Sequence, residues 1–141
     1  MVKMNIDCER TFKKRIDGDY FVKVAVWYSK EDGFYRCGNK YNFVEHRFSF
    51  LASNQLYADS YICKEIIAKA INLQKDSYRN TEFIVHMRDV WIDGIFGRNW
   101  LTVWATRDWR NSRNKKIDGY ENWNEVFRML AETGAKFTFV D

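Results

Sequence analysis

Three acidic residues lie at positions from which their carboxylates could act together. Asp7 ends a run in which apolar and polar residues alternate, and Asp89 follows a short apolar run. Glu65 lies on or beside the inward face of a helical pattern. Carboxylate oxygens are ligands that hard divalent cations prefer. Each acid also has a plain structural reading, as a helix N-cap (Asp89), a solvated helix residue (Glu65) or a strand-flanking residue (Asp7).

Positive charge is concentrated in one short segment. Residues 98–116 contain six basic residues and one acid, whereas the whole chain has a net charge of only +4. Basic side chains in this pattern could follow a phosphate backbone, and the tryptophan among them could stack on a base or sugar. The alternative is a solvated loop that the tryptophan anchors. The candidate nucleic-acid-binding residues are Arg107, Trp109, Arg110, Arg113, Lys115 and Lys116.

The composition predicts a single folded domain over residues 1–141. Hydrophobic residues make up 46% of the chain and aromatic residues 18%, which is enough to build a core and excludes a disordered tail. No apolar run approaches the roughly 20 residues of a membrane span, and acid at Asp7 comes too early for a secretory signal. The odd count of three cysteines favours reduced thiols and a cytoplasmic location. Their spacing to histidine fits no zinc pattern.

The first half of the sequence favours β-strands. Apolar residues alternate with polar ones over residues 2–7 and 41–50, and residues 21–28 are rich in β-branched and aromatic side chains. A turn signal at residues 30–33 separates this last run from a short returning strand at residues 34–37. These neighbouring runs predict antiparallel strands.

The second half alternates helices with strands. Helical spacing predicts amphipathic helices over residues 58–74 and 122–132, the second closed by Gly134. Apolar runs predict strands at residues 83–87 and 137–140, with further helical segments between them. The element order β-β-β-α-β-α-α-β predicts an α/β fold in which helices pack on a mixed sheet.

The spacing of four tryptophans carries a more specific signal. Successive tryptophans are four, five and fourteen residues apart, basic residues lie between the last two, and a Gly-Ile pair lies just upstream. This pattern resembles the helix–basic handle–helix region of the ribonuclease HI family, with residues 107–116 as the basic handle. The resemblance extends without gaps from Asp89 to the last predicted strand, about a third of the chain. The residues that carry it are Gly94, Ile95, Trp100, Trp104, Trp109 and Trp123.

The resemblance implies a five-stranded ribonuclease H-like sheet whose strand ends carry a cluster of carboxylates. In that family the cluster binds two Mg²⁺ or Mn²⁺ ions, which lie about 4 Å apart, activate a water and stabilise the leaving oxygen of a phosphodiester. The ungapped match places Asp89 on the acid of the fourth strand. Glu65 fits the acid of the first helix after a shift of two residues, and Asp7 fits the first-strand acid. These three are therefore the predicted catalytic and metal-binding residues.

The resemblance also has departures, which leave two functions open. Asp7 is followed by Cys8 and Glu9 where the family has Gly-Ser, and a first strand at residues 21–28 would put Ser29 at the acid position. In the family a histidine-bearing loop and a C-terminal helix with a fourth acid follow the last strand. Within residues 1–141 only Asp141 can stand for that acid.

One expectation is a metal-dependent nuclease that hydrolyses RNA in RNA–DNA hybrids or related structures. The other is a catalytically silent domain on the same scaffold, which binds nucleic acid, a nucleotide-like ligand or a protein partner through its basic and aromatic surface.

Overall fold

The computed structural model describes residues 1–87 and 89–140. They form one mixed sheet of five strands in the order β3-β2-β1-β4-β5, in which the first three strands are antiparallel and β1, β4 and β5 are parallel. The predicted fold class is confirmed. The strands are β1 (Val2–Lys14), β2 (Tyr20–Arg36), β3 (Asn39–Ala52), β4 (Thr81–His86) and β5 (Lys136–Val140).

The helical elements lie between β3 and β4 and between β4 and β5 in the chain, and they pack on the antiparallel strands β2 and β3 as well as on β5. A 3-10 turn precedes β4, and the segment after β4 begins as a short α-helix and continues as a π-helical turn. The helical elements are α1 (Gln55–Leu73), the 3-10 turn (Tyr78–Asn80), α2 (Val90–Ile92), the π-turn (Asp93–Gly97), α3 (Trp100–Thr106) and α4 (Tyr120–Thr133). Within the described residues, no helix has the length and apolar character needed to cross a membrane.

Strand β1 is the central strand, and its alternation decides which side chains face the helices. Met4 and Ile6 are fully buried on the helix-facing side, and Cys8 and Arg10 continue that side toward the carboxyl half of the strand. Asp7 lies on the opposite face because successive side chains of a strand point to opposite sides.

Strand β2 is longer than predicted and contains no turn at residues 30–33. A bulge between Ser29 and Phe34 absorbs those residues within the strand. The chain reverses instead at Cys37 and Gly38, both of which have positive φ. The pairing of β1 with β2 over Met4 to Lys14 excludes residues 21–28 as the first strand, so Ser29 does not hold the position of a first-strand acid.

Aromatic packing holds the π-turn and α4 against the sheet. Phe96 stacks on Phe139 of β5 with ring centroids 4.0 Å apart, and the ring of Trp123 is fully buried beside Phe96. A Cβ added at Gly94 would lie 2.2 Å from the ring of Trp100, so this approach requires glycine. The tryptophan ladder thus fixes the helices that carry the basic handle.

Candidate functional site

Three charged side chains meet where β1, α1 and the end of β4 converge. The two terminal nitrogens of Arg10 contact different carboxylates: Nη1 donates to Asp59 Oδ1, and Nη2 donates to Asp89 Oδ2. Asp59 is fully buried, and the side chains of Arg10 and Asp89 are only 13% and 16% exposed. We call these three residues the Arg10 cluster. A guanidinium presents its donors as a planar fork, which suits a bridge between two carboxylates.

Asp89 holds the end of β4 and the start of α2 together. Its Oδ1 accepts a hydrogen bond from the Ile92 N–H at 2.9 Å, so the side chain is the N-cap of α2. Its Oδ2 accepts from Arg10 and from Gln55 Nε2, the latter at 3.2 Å. Burial alone would raise the pKa of Asp89, but the Ile92 N–H and the Arg10 guanidinium outweigh it and lower that pKa. Asp89 is therefore the ionised carboxylate of the cluster.

Asp59 is the more strongly desolvated acid. Burial raises the pKa of Asp59 to about 8; the guanidinium of Arg10 acts in the opposite direction, and the charge of Asp89 adds to the rise. One oxygen of Asp59 contacts Arg10, whereas Oδ2 is buried without a hydrogen-bond partner in the described structure. The ionised carboxylate of Asp89 and the desolvated carboxyl group of Asp59 thus contact the same guanidinium in a nearly dry environment.

The structure does not bring the three predicted ligands together. Asp89 lies in the cluster, but Asp7 is exposed on the opposite face of the sheet. Glu65 lies six residues after Asp59, which is roughly 9 Å farther along α1. Its charge acts on Tyr28 and Tyr61, where burial and Glu65 together raise the pKa of each phenol. The fourth predicted acid, Asp141, lies outside the described residues.

A two-metal centre does not fit the residues present. Among residues 1–87 and 89–140, no group of three or more histidine, cysteine, aspartate or glutamate side chains is arranged to hold a metal ion. Of the four carboxylate oxygens in the cluster, two contact the Arg10 guanidinium and one caps α2. A cationic side chain already lies between the carboxylates that two hard cations would need. The catalytic role of Asp7, Glu65 and Asp89 stays a prediction, and this geometry does not support it.

The basic handle has a fixed backbone because its one apolar side chain, Trp109, is buried, as is Ile117 directly after it. Trp109 is only 7% exposed and packs edge-on against Phe127 of α4, with ring centroids 6.1 Å apart. Its N–H donates to the Trp104 carbonyl, and its own carbonyl accepts from the Ile117 N–H, both at 2.8 Å. The predicted role of Trp109 in stacking on nucleic acid is therefore corrected: its ring is in the core, and it anchors the loop.

The tip of the handle is held by one asparagine. The Oδ1 atom of Asn111 accepts hydrogen bonds from the backbone N–H groups of Arg113 and Lys115, at 2.9 and 3.0 Å. A backbone bridge joins Arg110 to Lys116 across the base of this turn. The handle is therefore a short closed loop.

The cations of the handle fall into two groups. Lys116 Nζ bonds to the carbonyl and carboxylate of Asp108, and Arg110 lies 3.7 Å from the same carboxylate. Arg107, Arg113 and Lys115 are exposed and form no ion pair within the described part of the chain. The first group closes the loop, and the second group presents charge to solvent. Of the predicted nucleic-acid-binding residues, these last three are the most accessible.

Two hydrogen bonds join the chain just after the handle to the first turns of α1, where Asp59 of the Arg10 cluster lies. Just past the handle, Asp118 accepts a hydrogen bond from Asn54, the N-cap of α1, at 2.9 Å. Asn122 donates to Ser60 at 3.1 Å, and Ser60 directly follows Asp59 in α1. The loop that ends the handle is thereby fastened to the helix turn that carries the cluster.

Solved structures share this architecture. The chain matches the foamy viral protease-reverse transcriptase in complex with an RNA/DNA hybrid at a TM-score of 0.64 and 10% identity, covering 99% of this chain and 17% of that one. It matches LC9-RNase H1, a type 1 RNase H with the type 2 active-site motif, at 0.64 and 16%, covering 99% and 63%. The chain has a ribonuclease H-like fold. The solution structure of the PFV RNase H domain also matches, at 0.53 and 12%, covering 98% and 76%.

These matches show the ribonuclease H-like fold alone, because their identities are low. No protein-family model and no curated protein matches the chain. The chain spans 17% of the protease-reverse transcriptase and 63% of LC9-RNase H1.

The sequence reading of this ribonuclease H-like fold missed Arg10 and Asp59. The alternation through Ile6 and Cys8 places Arg10 on the helix-facing side, but the hydrophobic pattern alone predicts a strand that ends at Asp7. Asp59 lies three residues before Ile62, so helical spacing places both on the same inward side. The signal that could have found them was an arginine and an aspartate at buried positions of two different elements, since buried charges need partners.

Proposed function

We propose that this protein is a nucleic-acid-binding ribonuclease H-like module whose basic handle contacts the phosphate backbone, and that it acts without two-metal hydrolysis. The observation that carries the proposal is the anchored handle. Its buried Trp109 and its Asn111 turn fix the loop, and its exposed Arg107, Arg113 and Lys115 have no acidic partner among the described residues. A preorganised group of cations binds phosphates with little ordering cost.

The solved structures support nucleic acid as the kind of partner. The foamy viral protease-reverse transcriptase is described in complex with an RNA/DNA hybrid and, separately, with double-stranded DNA. The fold of this chain matches both. A double-stranded substrate with closely spaced phosphates suits a short loop with several exposed cations, and we therefore propose a hybrid or duplex as the ligand.

The Arg10 cluster favours binding over hydrolysis. Its central position holds a guanidinium bonded to both Asp59 and Asp89, so these carboxylates are compensated internally. Hydrolysis through Asp7, Glu65 and Asp89 stays a prediction, which a cleavage assay with the same labelled hybrid tests. We expect no Mg²⁺-dependent cleavage above the level given by the Asp89→Asn variant.

The binding test measures the affinity for a fluorescent RNA–DNA hybrid as a function of salt concentration. Replacing Arg107, Arg113 and Lys115 with alanine removes up to three phosphate contacts, so the slope of log K against log salt should fall by about two to three. The matched control replaces the exposed Lys13, Lys75 and Lys136, which lie outside the handle and remove the same charge. Equal effects of the two triple variants would show that net charge, and not the handle, determines binding.

A further inference from the structure

The Arg10 cluster places a positive charge where three elements direct polar side chains to one point. Arg10 comes from the helix-facing side of β1, Asp59 from the first turns of α1, and Asp89 from the end of β4. Each guanidinium terminal nitrogen bonds to a different carboxylate. Among the described residues, Arg10 is the residue that forms an ion pair with both acids. The guanidinium is therefore a cation that bridges Asp59 and Asp89. A metal ion bound by both carboxylates would bridge them in the same way.

The oxygen atoms of the cluster show that this position suits a cation. Asp59 is fully buried, yet its Oδ2 has no hydrogen-bond partner in the described structure. Asp89 Oδ2 accepts from Arg10 and from Gln55, whereas Oδ1 accepts from the Ile92 N–H. Removal of Arg10 would leave two oxygens, Asp59 Oδ1 and Asp89 Oδ2, without the cation that they contact, in addition to the unpartnered Asp59 Oδ2. Carboxylate oxygens in this arrangement bind Mn²⁺ or Mg²⁺.

We propose that the Arg10 guanidinium permanently occupies a divalent-cation position, so that the natural protein folds and works without a metal there, and that shortening Arg10 converts Asp59 and Asp89 into a divalent-cation site. Negative charge on buried carboxyl groups requires compensation, which the arginine supplies from within the chain. A divalent cation supplies the same compensation from solution. The two cations exclude one another because they contact the same oxygens.

The test compares thermal unfolding with and without Mn²⁺ for the natural chain and for Arg10→Ala. We expect the melting temperature of the natural chain to be unchanged by millimolar Mn²⁺. Arg10→Ala should melt lower in chelator and gain roughly 5 °C once Mn²⁺ is about tenfold above its dissociation constant. Electron paramagnetic resonance of free Mn²⁺ should show about one ion bound per variant chain and none at this site in the natural protein.

Two further variants identify the ligands. Arg10→Asp adds a third carboxylate to the pair, so its stability should depend on Mn²⁺ more strongly than that of Arg10→Ala. Adding Asp89→Asn to Arg10→Ala keeps an N-cap for α2 but removes a charged ligand, and the Mn²⁺ response should disappear. Arg15→Ala is the matched control, because Arg15 pairs with Asp17 at an exposed position and its loss should create no Mn²⁺ response.

The outcomes separate cleanly. A Mn²⁺-stabilised Arg10→Ala chain that loses its response with Asp89→Asn supports the proposal. The proposal is overturned by an Arg10→Ala chain that does not respond, by natural protein that binds Mn²⁺ through Asp89, or by Arg10→Ala and Arg10→Asp chains that fail to fold even in Mn²⁺. These measurements contain no nucleic acid, so their failure is distinct from a failure of the handle to bind a hybrid.

Discussion

The Arg10 cluster and the basic handle both contain charged side chains, but the cluster shields them from solvent whereas the handle exposes them. In the cluster, one arginine and two aspartates are shielded from solvent and contact one another. In the handle, Arg113 and Lys115 extend from a loop whose own apolar anchor is buried. Burial of the ion pair, more than the type of residue, therefore decides whether a charge stabilises the fold or remains available to a ligand.

We expect the greatest loss of stability when the aromatic ring that anchors the basic handle is removed. Trp109→Ala removes a nearly buried ring packed on Phe127 and should lower the free energy of unfolding by about 3 to 4 kcal/mol. Urea denaturation measures this loss. Because the ring is an anchor, Trp109→Phe should keep most of the affinity for a hybrid at a salt concentration where Trp109→Ala loses it. If a stable Trp109→Phe protein loses binding, the result would contradict the anchoring role and indicate that the indole ring of Trp109 stacks on the nucleic acid.

A second comparison sets a shielded arginine against an exposed one. Arg10→Ala leaves Asp59 and Asp89 without their cation and should cost about 3 kcal/mol in metal-free buffer. Arg15→Ala breaks an exposed pair and should cost less than about 0.5 kcal/mol. Chemical denaturation of both variants, each in chelator, gives the two values. Similar losses would mean that the cluster is more hydrated than its burial indicates.

The element order and the position of Asp89 could be predicted from local patterns, whereas the cluster could not. Asp89 follows a short apolar strand, and its reading as an N-cap is confirmed by the Ile92 N–H bond. Arg10 and Asp59 are 49 residues apart, and no local pattern pairs them. Strand β1 continues past Asp7 to Lys14, and its burial alternates as far as Arg10, so a hydrophobic criterion ends the strand too early and does not show that Arg10 faces inward.

For the basic handle, the sequence predicts the residues but not the direction of their side chains. Its charge and its tryptophan were evident in the sequence, but the direction of Trp109 was not. Asp108 and Trp109 both have positive φ, which residues other than glycine and asparagine seldom adopt. This unusual backbone turns the ring of Trp109 into the core while the neighbouring basic side chains stay outside. Burial of the large ring compensates for the backbone cost, and that balance depends on contacts with α4 that the sequence pattern does not show.

Asp59 makes the stability of the protein depend on pH. The pKa of Asp59 rises from 3.8 to about 8 on folding, chiefly because the group is buried. The folded form therefore keeps a proton that the unfolded form releases, and this group's contribution to stability is lost as the pH rises from about 4 through about 8. The slope from this residue is at most about 1.4 kcal/mol per pH unit.

Asp59→Asn should flatten the dependence of the melting temperature on pH over that window. The amide cannot ionise, and its oxygen can still accept a bond from Arg10. Asp17→Asn, at an exposed pair, provides the control and should leave the dependence as it is in the natural chain. Parallel melting curves for Asp59→Asn and the natural protein would show that Asp59 is ionised in the fold at all of these pH values.

The smallest expected effect on stability comes from a single exposed cation of the handle. Arg113→Ala should change the free energy of unfolding by less than about 0.5 kcal/mol, because its side chain is exposed and forms no ion pair within the described residues. Its effect on a hybrid should appear in salt dependence, with the slope of log K against log salt falling by about 0.9. Lys136→Ala, at an exposed site on β5, serves as the single-charge control. An unchanged slope for Arg113→Ala would remove this residue from the interface, and the same result at Arg107 and Lys115 would reduce the handle to a structural loop.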